Sequence, residues 1–249
     1  MTRSSEHVLT PLIRKLGRRA TLGPKEIAAL ERLPHQIEDV ARGRYIVREG
    51  DRPGHCMAVL AGFLFRSKVT GDGGRQILSV HLQGDLVCAH DHLLGDADHN
   101  IQALTRVRLA RIPHDALRSA AEEYPALARA LWRDTLIDIS VAREWLLSVG
   151  RRDARQRVAH IMCEMAVRTE AAGLREGSKY LWPLTQEELG DAAGLTAVHV
   201  NRTVQRLRRE GLVGVSYGEV RIVDWPGLQA AGDFRAGYLH EQGAIRMAA

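Results

Sequence analysis

The stretch Thr185-Gln-Glu-Glu-Leu-Gly-Asp-Ala-Ala-Gly-Leu-Thr-Ala-Val-His-Val-Asn-Arg-Thr-Val-Gln-Arg-Leu-Arg-Arg-Glu210 reads as two short helices joined by a tight turn. Thr185 and Glu188 have capping-box spacing, in which a hydroxyl and a carboxylate satisfy amides left open at a helix start. Leu189, Ala192 and Ala193 supply the inner face of that helix. Small Ala193 permits a close crossing, and Gly194 can take the positive φ of a sharp turn. Leu195 fills the corner. Thr196 is a second N-cap, after which Val200, Val204 and Leu207 form an apolar stripe at spacings of four and three. The other face presents Asn201, Arg202, Gln205, Arg206 and Arg209, amide and guanidinium groups suited to base edges and phosphates. A charge run alone usually marks only a solvated face. The two caps, the Ala-Gly turn and the restart in register set this one apart.

After Gly211 the chain reads Leu-Val-Gly-Val-Ser-Tyr-Gly-Glu-Val-Arg-Ile-Val, two β-branched runs about a Ser-Tyr-Gly turn, hence a hairpin. The C-terminal part is therefore expected to be a winged helix-turn-helix. Working outward, 249 residues give room for two ordinary domains with their own cores. The formal net charge of +5 permits a nucleic-acid partner but is spread over both halves of the chain. What is local is the arginine cluster at 202, 206, 208 and 209, and local density governs phosphate contact. Cys56, Cys88 and Cys163 lie far apart without paired metal-ligand spacing, which argues against a disulfide framework or a zinc finger and fits a reducing cytoplasm. No apolar run of about 18 residues occurs, so a membrane span is not expected. No phosphate-cradling glycine motif, nucleophile elbow or His-Glu-x-x-His run is present, and an enzyme is not expected.

Upstream, Leu12, Ile13 and Leu16 share a helical face, and a second helix starts at Pro24 with Ile27, Leu30 and Leu33. From Arg42 to about Pro113 the pattern turns to short β-type runs separated by Gly50, Gly62, Gly71, Gly73, Gly74 and Gly84, as in a compact antiparallel β-roll. From about Glu122 to Val149 the period is helical. One stripe runs through Ala128, Trp132, Thr135, Ile139, Ala142, Leu146 and Val149, a second through Leu127, Leu131, Val141 and Trp145. Such a helix needs partners on two sides, and the economical solution is the β-roll on one and a second copy of the chain on the other. Gly150-Arg151-Arg152-Asp153 is a polar hinge, with Asp153 able to cap the next helix. The expected organisation is α+β: N-terminal helices and a jelly-roll-like β-roll over 1–121, a dimerisation helix and hinge over 122–150, and the winged helix-turn-helix with its tail over 151–249. The Gly- and Ala-rich tail beyond Asp224 shows no readable role.

This order of elements resembles the Crp/Fnr family of bacterial transcription regulators. Gly43-Arg-Tyr-Ile-Val-Arg-Glu49-Gly50-Asp51 is similar to the opening turn of the family's cyclic-nucleotide-binding-like roll, and Gly84-Asp85-Leu86 sits where its effector cassette begins. Leu184 to Val213 is similar to its DNA-reading segment, and together the matches cover roughly residues 10 to 223. The resemblance implies a homodimer on double-stranded DNA with a palindromic operator, one recognition helix per major groove, and contact with RNA polymerase. It places Ala197, Val198, Asn201 and Arg202 at the face that meets the bases. Val198 stands where cyclic-AMP-responsive and oxygen-responsive members usually carry a glutamate. It can touch a thymine methyl but cannot accept a cytosine amino proton, so the operator should differ from theirs. His199, Thr185, Thr196, Gln205, Arg206 and Arg209 complete the candidate DNA-binding set.

For the effector, the resemblance implies a pocket near Gly84, Asp85, Leu86, Cys88, Asp98 and His99. The family's glutamate position is Asp85, and the region of its phosphate-clamping Arg-Ser or Arg-Thr pair reads Gly95-Asp96-Ala97-Asp98-His99-Asn100, which lacks arginine and carries added carboxylates. Carboxylates repel a phosphate, so cyclic AMP is not expected. An iron-sulfur sensor needs four clustered thiolates, which three dispersed cysteines do not supply. His90, Asp91, His92, Asp96, Asp98 and His99 could ligate a divalent cation by type, but such residues in a polar loop are usually solvated, and no metal site is expected. A haem ligand is not selected by anything in the sequence, and Cys88 is a candidate redox thiol or an inert buried one. The expectation is no identified cofactor. The alternative function is a small-molecule or metal sensor whose C-terminal domain mediates protein contacts rather than DNA binding.

Overall fold

The computed structural model describes residues 7–89, 93–216 and 218–241. Its elements are α1 (Thr10–Arg19), α2 (Pro24–Glu31), β1 (Gln36–Val40), β2 (Tyr45–Val47), β3 (His55–Ala61), β4 (Leu64–Val69), β5 (Arg75–His81), β6 (Leu86–Val87), β7 (Asn100–Ala103), β8 (Val107–Pro113), α3 (His114–Glu123), α4 (Pro125–Arg151), α5 (Ala154–Ala171), β9 (Arg175–Glu176), β10 (Lys179–Leu181), α6 (Gln186–Ala193), α7 (Ala197–Arg209), β11 (Val213–Ser216), β12 (Glu219–Ile222) and α8 (Trp225–Gly232). They fall into two compact units, Met1–Lys68 with Val80–Leu136 and Val69–Ser79 with Ile137–Ala249. The first contains most of a two-sheet β-roll and the second the helix-turn-helix.

The roll is built from sheets ordered β1-β8-β3-β6 and β2-β7-β4-β5. Its central pair, β3 and β8, is antiparallel with Met57 opposite Arg111 and Val59 opposite Leu109. Because side chains alternate along a strand, Met57, Val59, Val107 and Leu109 fill the roll interior. Cys56, Ala58, Ala110 and Ile112 point the other way, into a cluster with Leu12, Leu16, Leu30, Leu127, Ala130 and Leu131 from the helices. One face of α4 is thereby covered. Burying a Leu side chain there contributes about 2 kcal/mol. A charged cluster is buried in the same unit: Lys15 Nζ lies 3.0 Å from both Asp85 Oδ1 and Asp134 Oδ1, and Arg19 Nε lies 3.3 Å from Asp134 Oδ1. It ties α1 to α4 and to the turn before β6.

Several elements differ from the sequence expectation. The long helix expected from about Glu122 begins at Pro125, after the extended Tyr124, and is preceded by a separate helix, α3, that the sequence did not reveal. Strands β1, β6 and β7 escaped the reading because they are short or polar, as in Gln36-Ile-Glu-Asp-Val40. Strand β10 ends at Leu181, two residues before Pro183, which cannot donate to a ladder.

In the second unit Asp153 caps α5 as expected, its carboxylate accepting from Gln156 N at 2.8 Å. The tail beyond Asp224 is ordered through α8 and a 3-10 turn, Ala236–Leu239. Gly232 is required where α8 crosses α5, because a Cβ there would meet His160 N at 2.7 Å. His160 is buried, with Nδ1 at 3.1 Å from Gly232 O and Nε2 at 3.0 Å from the Tyr238 hydroxyl.

Burial pushes the His160 imidazole below its ordinary value, and the Arg152 cation adds to this against the opposing pull of Glu164, the Gly232 carbonyl and Glu144. The unfolded chain then binds a proton at higher pH than the folded unit does. This contribution to stability is full above the ordinary pKa of about 6.5 and declines as pH falls through it, levelling off below the folded-state value. Thermal melts between about pH 7.5 and about pH 5.5 are expected to show a falling midpoint, with a shallower fall in His160→Gln.

Candidate nucleic-acid interface

Helices α6 and α7 are set by their caps. Thr185 Oγ1 accepts from Glu188 N at 3.1 Å while Glu188 Oε2 accepts from Thr185 N at 2.8 Å. Thr196 Oγ1 accepts from His199 N at 3.3 Å. The turn between them needs two glycines for different reasons. Gly194 adopts the left-handed conformation at φ 64°. Gly190 lets the Leu195 carbonyl approach the helix, since a Cβ there would lie 2.5 Å from that oxygen. Buried Val200, Thr203 and Leu207 seat α7, and Val204 is only half-buried. Thr203 takes the inner position because its hydroxyl donates back to His199 O at 2.8 Å, which removes the cost of burying it.

The outward face of α7, with the start of α6, forms an open groove of about 520 Å³ lined by Gln186, Ala197, Val198, Asn201, Arg202, Gln205 and Arg209. Val198 is 70% exposed at its N-terminal end. The sequence-expected residues divide into three groups. Ala197, Val198, Asn201, Arg202, Gln205 and Arg209 share the groove. Thr185 and Thr196 spend their hydroxyls on caps, and His199 is exposed outside the groove lining. Arg206 donates to Glu210 Oε1 at 2.9 Å, and the same carboxylate accepts from Arg155 Nη2 at 2.6 Å. Arg155 and then Arg206 hold the Glu210 carboxyl below the usual carboxylate range, so it stays ionised between them.

Sequence reasoning missed a second groove, of about 240 Å³, lined by Lys179, Arg208, Gly214, Val215, Ser216, Glu219 and Arg221. Lys179 and Arg221 are directly opposite each other on β10 and β12. Like charges in that relation destabilise a sheet unless an anion separates them; Glu219, 3.1 Å from Lys179, and Glu176, opposite Lys179 on β9, partly offset them. The signal was hidden because β10 was not legible as a partner of β12. Residue 217, in the turn of the wing, lies outside the described residues.

The residues expected around an effector are placed as follows. A Cβ on Gly84 would meet Pro11 O at 2.9 Å, so this turn is closed by α1. Asp85 faces Lys15, and Leu86 joins the cluster under the helices. Cys88 points into the roll interior with φ 59°, and its carbonyl lies 2.8 Å from His114 Nε2. Asp98 Oδ1 lies 2.7 Å from His99 Nδ1, while Asp96 pairs with Arg52. These partners hold both carboxyls below their ordinary range, Arg52 that of Asp96 and His99 that of Asp98. The Ala97 N–H is already committed to Asp51 O at 2.8 Å. Two ionised carboxylates and a spent backbone donor do not fit the phosphate of a cyclic nucleotide. Cys56 lies in the cluster under the helices and Cys88 in the roll interior, so these two thiols do not share a site as the ligands of an iron-sulfur cluster would. Residues 90–92 of the candidate metal cluster lie outside the described residues, and among the described ones no group of three or more ligands could hold a metal. No helix of the described residues is long and apolar enough to cross a membrane.

Residues 37–124 match the cyclic nucleotide-binding domain family and residues 156–231 the Crp-like helix-turn-helix domain family. The chain is 28% identical over 194 residues to the transcriptional activator protein FnrL of Cereibacter sphaeroides, covering 77% of each. It is 26% identical over 204 residues to the transcriptional activator protein anr of Pseudomonas aeruginosa, covering 82% of this chain and 83% of that one. Its fold is similar to that of FixK2 from Bradyrhizobium japonicum, with a TM-score of 0.74 at 24% identity over 80% of this chain and 98% of that one.

Glu210 is a carboxylate held between two arginines at the end of α7. Glu210→Gln is expected to release Arg155 and Arg206 and to tighten binding of random duplex, with a salt dependence steeper by about one unit. Fluorescence anisotropy across a salt series measures both.

Proposed function

We infer that the chain is a transcription regulator of the Crp/Fnr family, on its two domain matches and its relatives, and that it binds a palindromic operator as a homodimer, using α7 to read the major groove. The observation that carries the reading is the α7 groove: Asn201 and Arg202 are exposed on a helix capped by Thr196, beside Val198 and Gln205. Asn and Arg can bond purine edges bidentately, and Val198 offers a methyl-sized apolar contact. Arg208, Lys179 and Arg221 on the wing side supply charge for phosphates, which position the protein without reading sequence.

The dimer reading rests on α4. Its inner face is buried, whereas Trp132, Leu136, Ile139 and Leu146 are exposed at spacings of four, three and seven, with Trp132 at 71% and Leu146 at 75%. That spacing is a coiled-coil seam, and a second copy of α4 is the partner with a matching surface. Contact with RNA polymerase and a cytoplasmic setting follow from the family, and three free buried thiols suit a reducing compartment. Activity is taken to be independent of cyclic AMP, in keeping with the carboxylates at 96 and 98.

Arg202→Ala is expected to abolish the preference for a selected operator over a scrambled duplex. Arg208→Ala and Arg221→Ala should weaken both duplexes equally. Mobility shifts on operators selected from a random pool distinguish the two, and equal losses in all three variants would sink the assignment of Arg202 to base reading. Leu146→Asp is expected to leave the fold intact and shift the protein to a monomer in sedimentation equilibrium, with operator affinity falling in parallel.

A further inference from the structure

The chain continues past the helix-turn-helix match, and that continuation is bound into the hinge. Beyond Gly232 the backbone turns at Asp233 and runs back along α5 to Leu239. Phe234 is buried with its ring 5.1 Å from that of His160, and Tyr238 stacks on the same imidazole at 5.7 Å. The Tyr238 hydroxyl donates to Glu164 Oε2 at 2.8 Å. Glu164 is fully buried and accepts two further bonds, from Trp145 Nε1 at 2.9 Å and Arg168 Nη1 at 3.2 Å. Trp145 belongs to the last turns of α4. A second route joins the same places: Arg152, between α4 and α5, donates to Glu144 at 2.6 Å and to the carbonyl and carboxylate of Asp233 at 3.2 and 3.3 Å. From the other side Arg157 donates to Arg152 O at 2.8 Å and to Ala193 O, at the turn of the helix-turn-helix, at 3.0 Å.

We propose that residues 233–239 are a strap that fixes the hinge between α4 and α5, with Asp233 and Tyr238 as positioning residues for operator binding. The proposal rests on the homodimer and operator reading above. Two recognition helices held by one seam must reach half-sites a helical turn of DNA apart, about 34–36 Å. Any freedom at the hinge is multiplied by the length of the arm that carries α7. A buried carboxylate with three donors, one on each side of the hinge and one on the strap, is a stiff connection, since a partly bonded charge in that place is costly. The bonds that Asp233, Phe234 and Tyr238 make go to the hinge and α5 and not to the lining of the α7 groove, so their effect is on spacing and not on the reading of a single half-site.

The test uses the full chain and three duplexes: the selected operator, the same operator with one base pair added at its centre, and a single half-site. Wild type should lose about tenfold or more on the lengthened operator, while Tyr238→Phe and Asp233→Ala lose about threefold or less, with half-site affinity within about twofold of wild type in both. Tyr238→Phe keeps the ring and its stacking, and the Asp233 side chain is 59% exposed, so both variants are expected to fold. If the variants discriminate spacing as sharply as wild type, or lose half-site affinity as much as operator affinity, the strap has no positioning role. If wild type itself ignores the added base pair, the two-fold operator reading fails, and the strap proposal falls with it.

Discussion

Helix α4 has to meet two environments along one length, and most of what surrounds it follows from that requirement. Its inner face is satisfied within the chain: Leu127, Ala130 and Leu131 pack under the roll, and Trp145 reaches the buried Glu164. Asp134 on the same helix binds Lys15 and Arg19, so α1 is anchored by charge as well as by Leu12 and Leu16. The outer face retains Trp132, Leu136, Ile139 and Leu146 in water. A monomeric protein rarely leaves so continuous an apolar row exposed. This row is the observation behind the proposed dimer.

The roll illustrates how a family scaffold can carry different chemistry. Residues 37–124 match a cyclic nucleotide-binding domain, yet the turn at Gly84 and Asp85 is used to hold α1 in place. The loop at 95–100 commits its donors and acceptors internally through Arg52, Asp51 and the Asp98–His99 pair. A polar group already bonded inside the protein has little to gain from a ligand. A scaffold and its ligand chemistry are separable, and the match of residues 37–124 concerns the scaffold.

The helix-turn-helix was legible because its signals are local: a capping box, a second N-cap, an obligatory glycine turn and a stripe at helical spacing all lie within 26 consecutive residues. The long helix was legible in its period but not in its start, since Pro125 acts on the backbone and leaves the apolar pattern undisturbed. The inner position of Thr203 was missed because a hydroxyl can be hidden by bonding its own helix. The grooves were partly visible. Those residues that α7 alone presents could be read from spacing, whereas Gln186, Lys179 and Arg221 join through pairing between segments that no local rule connects. The tail was illegible for the same reason: Asp233, Phe234 and Tyr238 find partners in α5 and the hinge, some 70 to 80 positions earlier in the chain.

The strap also bears on how the DNA-binding unit can be handled as a separate piece. The recognisable helix-turn-helix match ends at residue 231, and that is where a truncation guided by family boundaries would fall. Such a cut removes Phe234 and Tyr238, uncovers His160, and takes one of three donors from the carboxylate of Glu164. The fragment would keep every residue of the recognition groove and yet expose a wet, charged hole at the base of α5. A separately expressed domain, or a fusion partner joined at the C-terminal end, is best spaced beyond residue 241, so that the contacts of residues 233–239 stay closed.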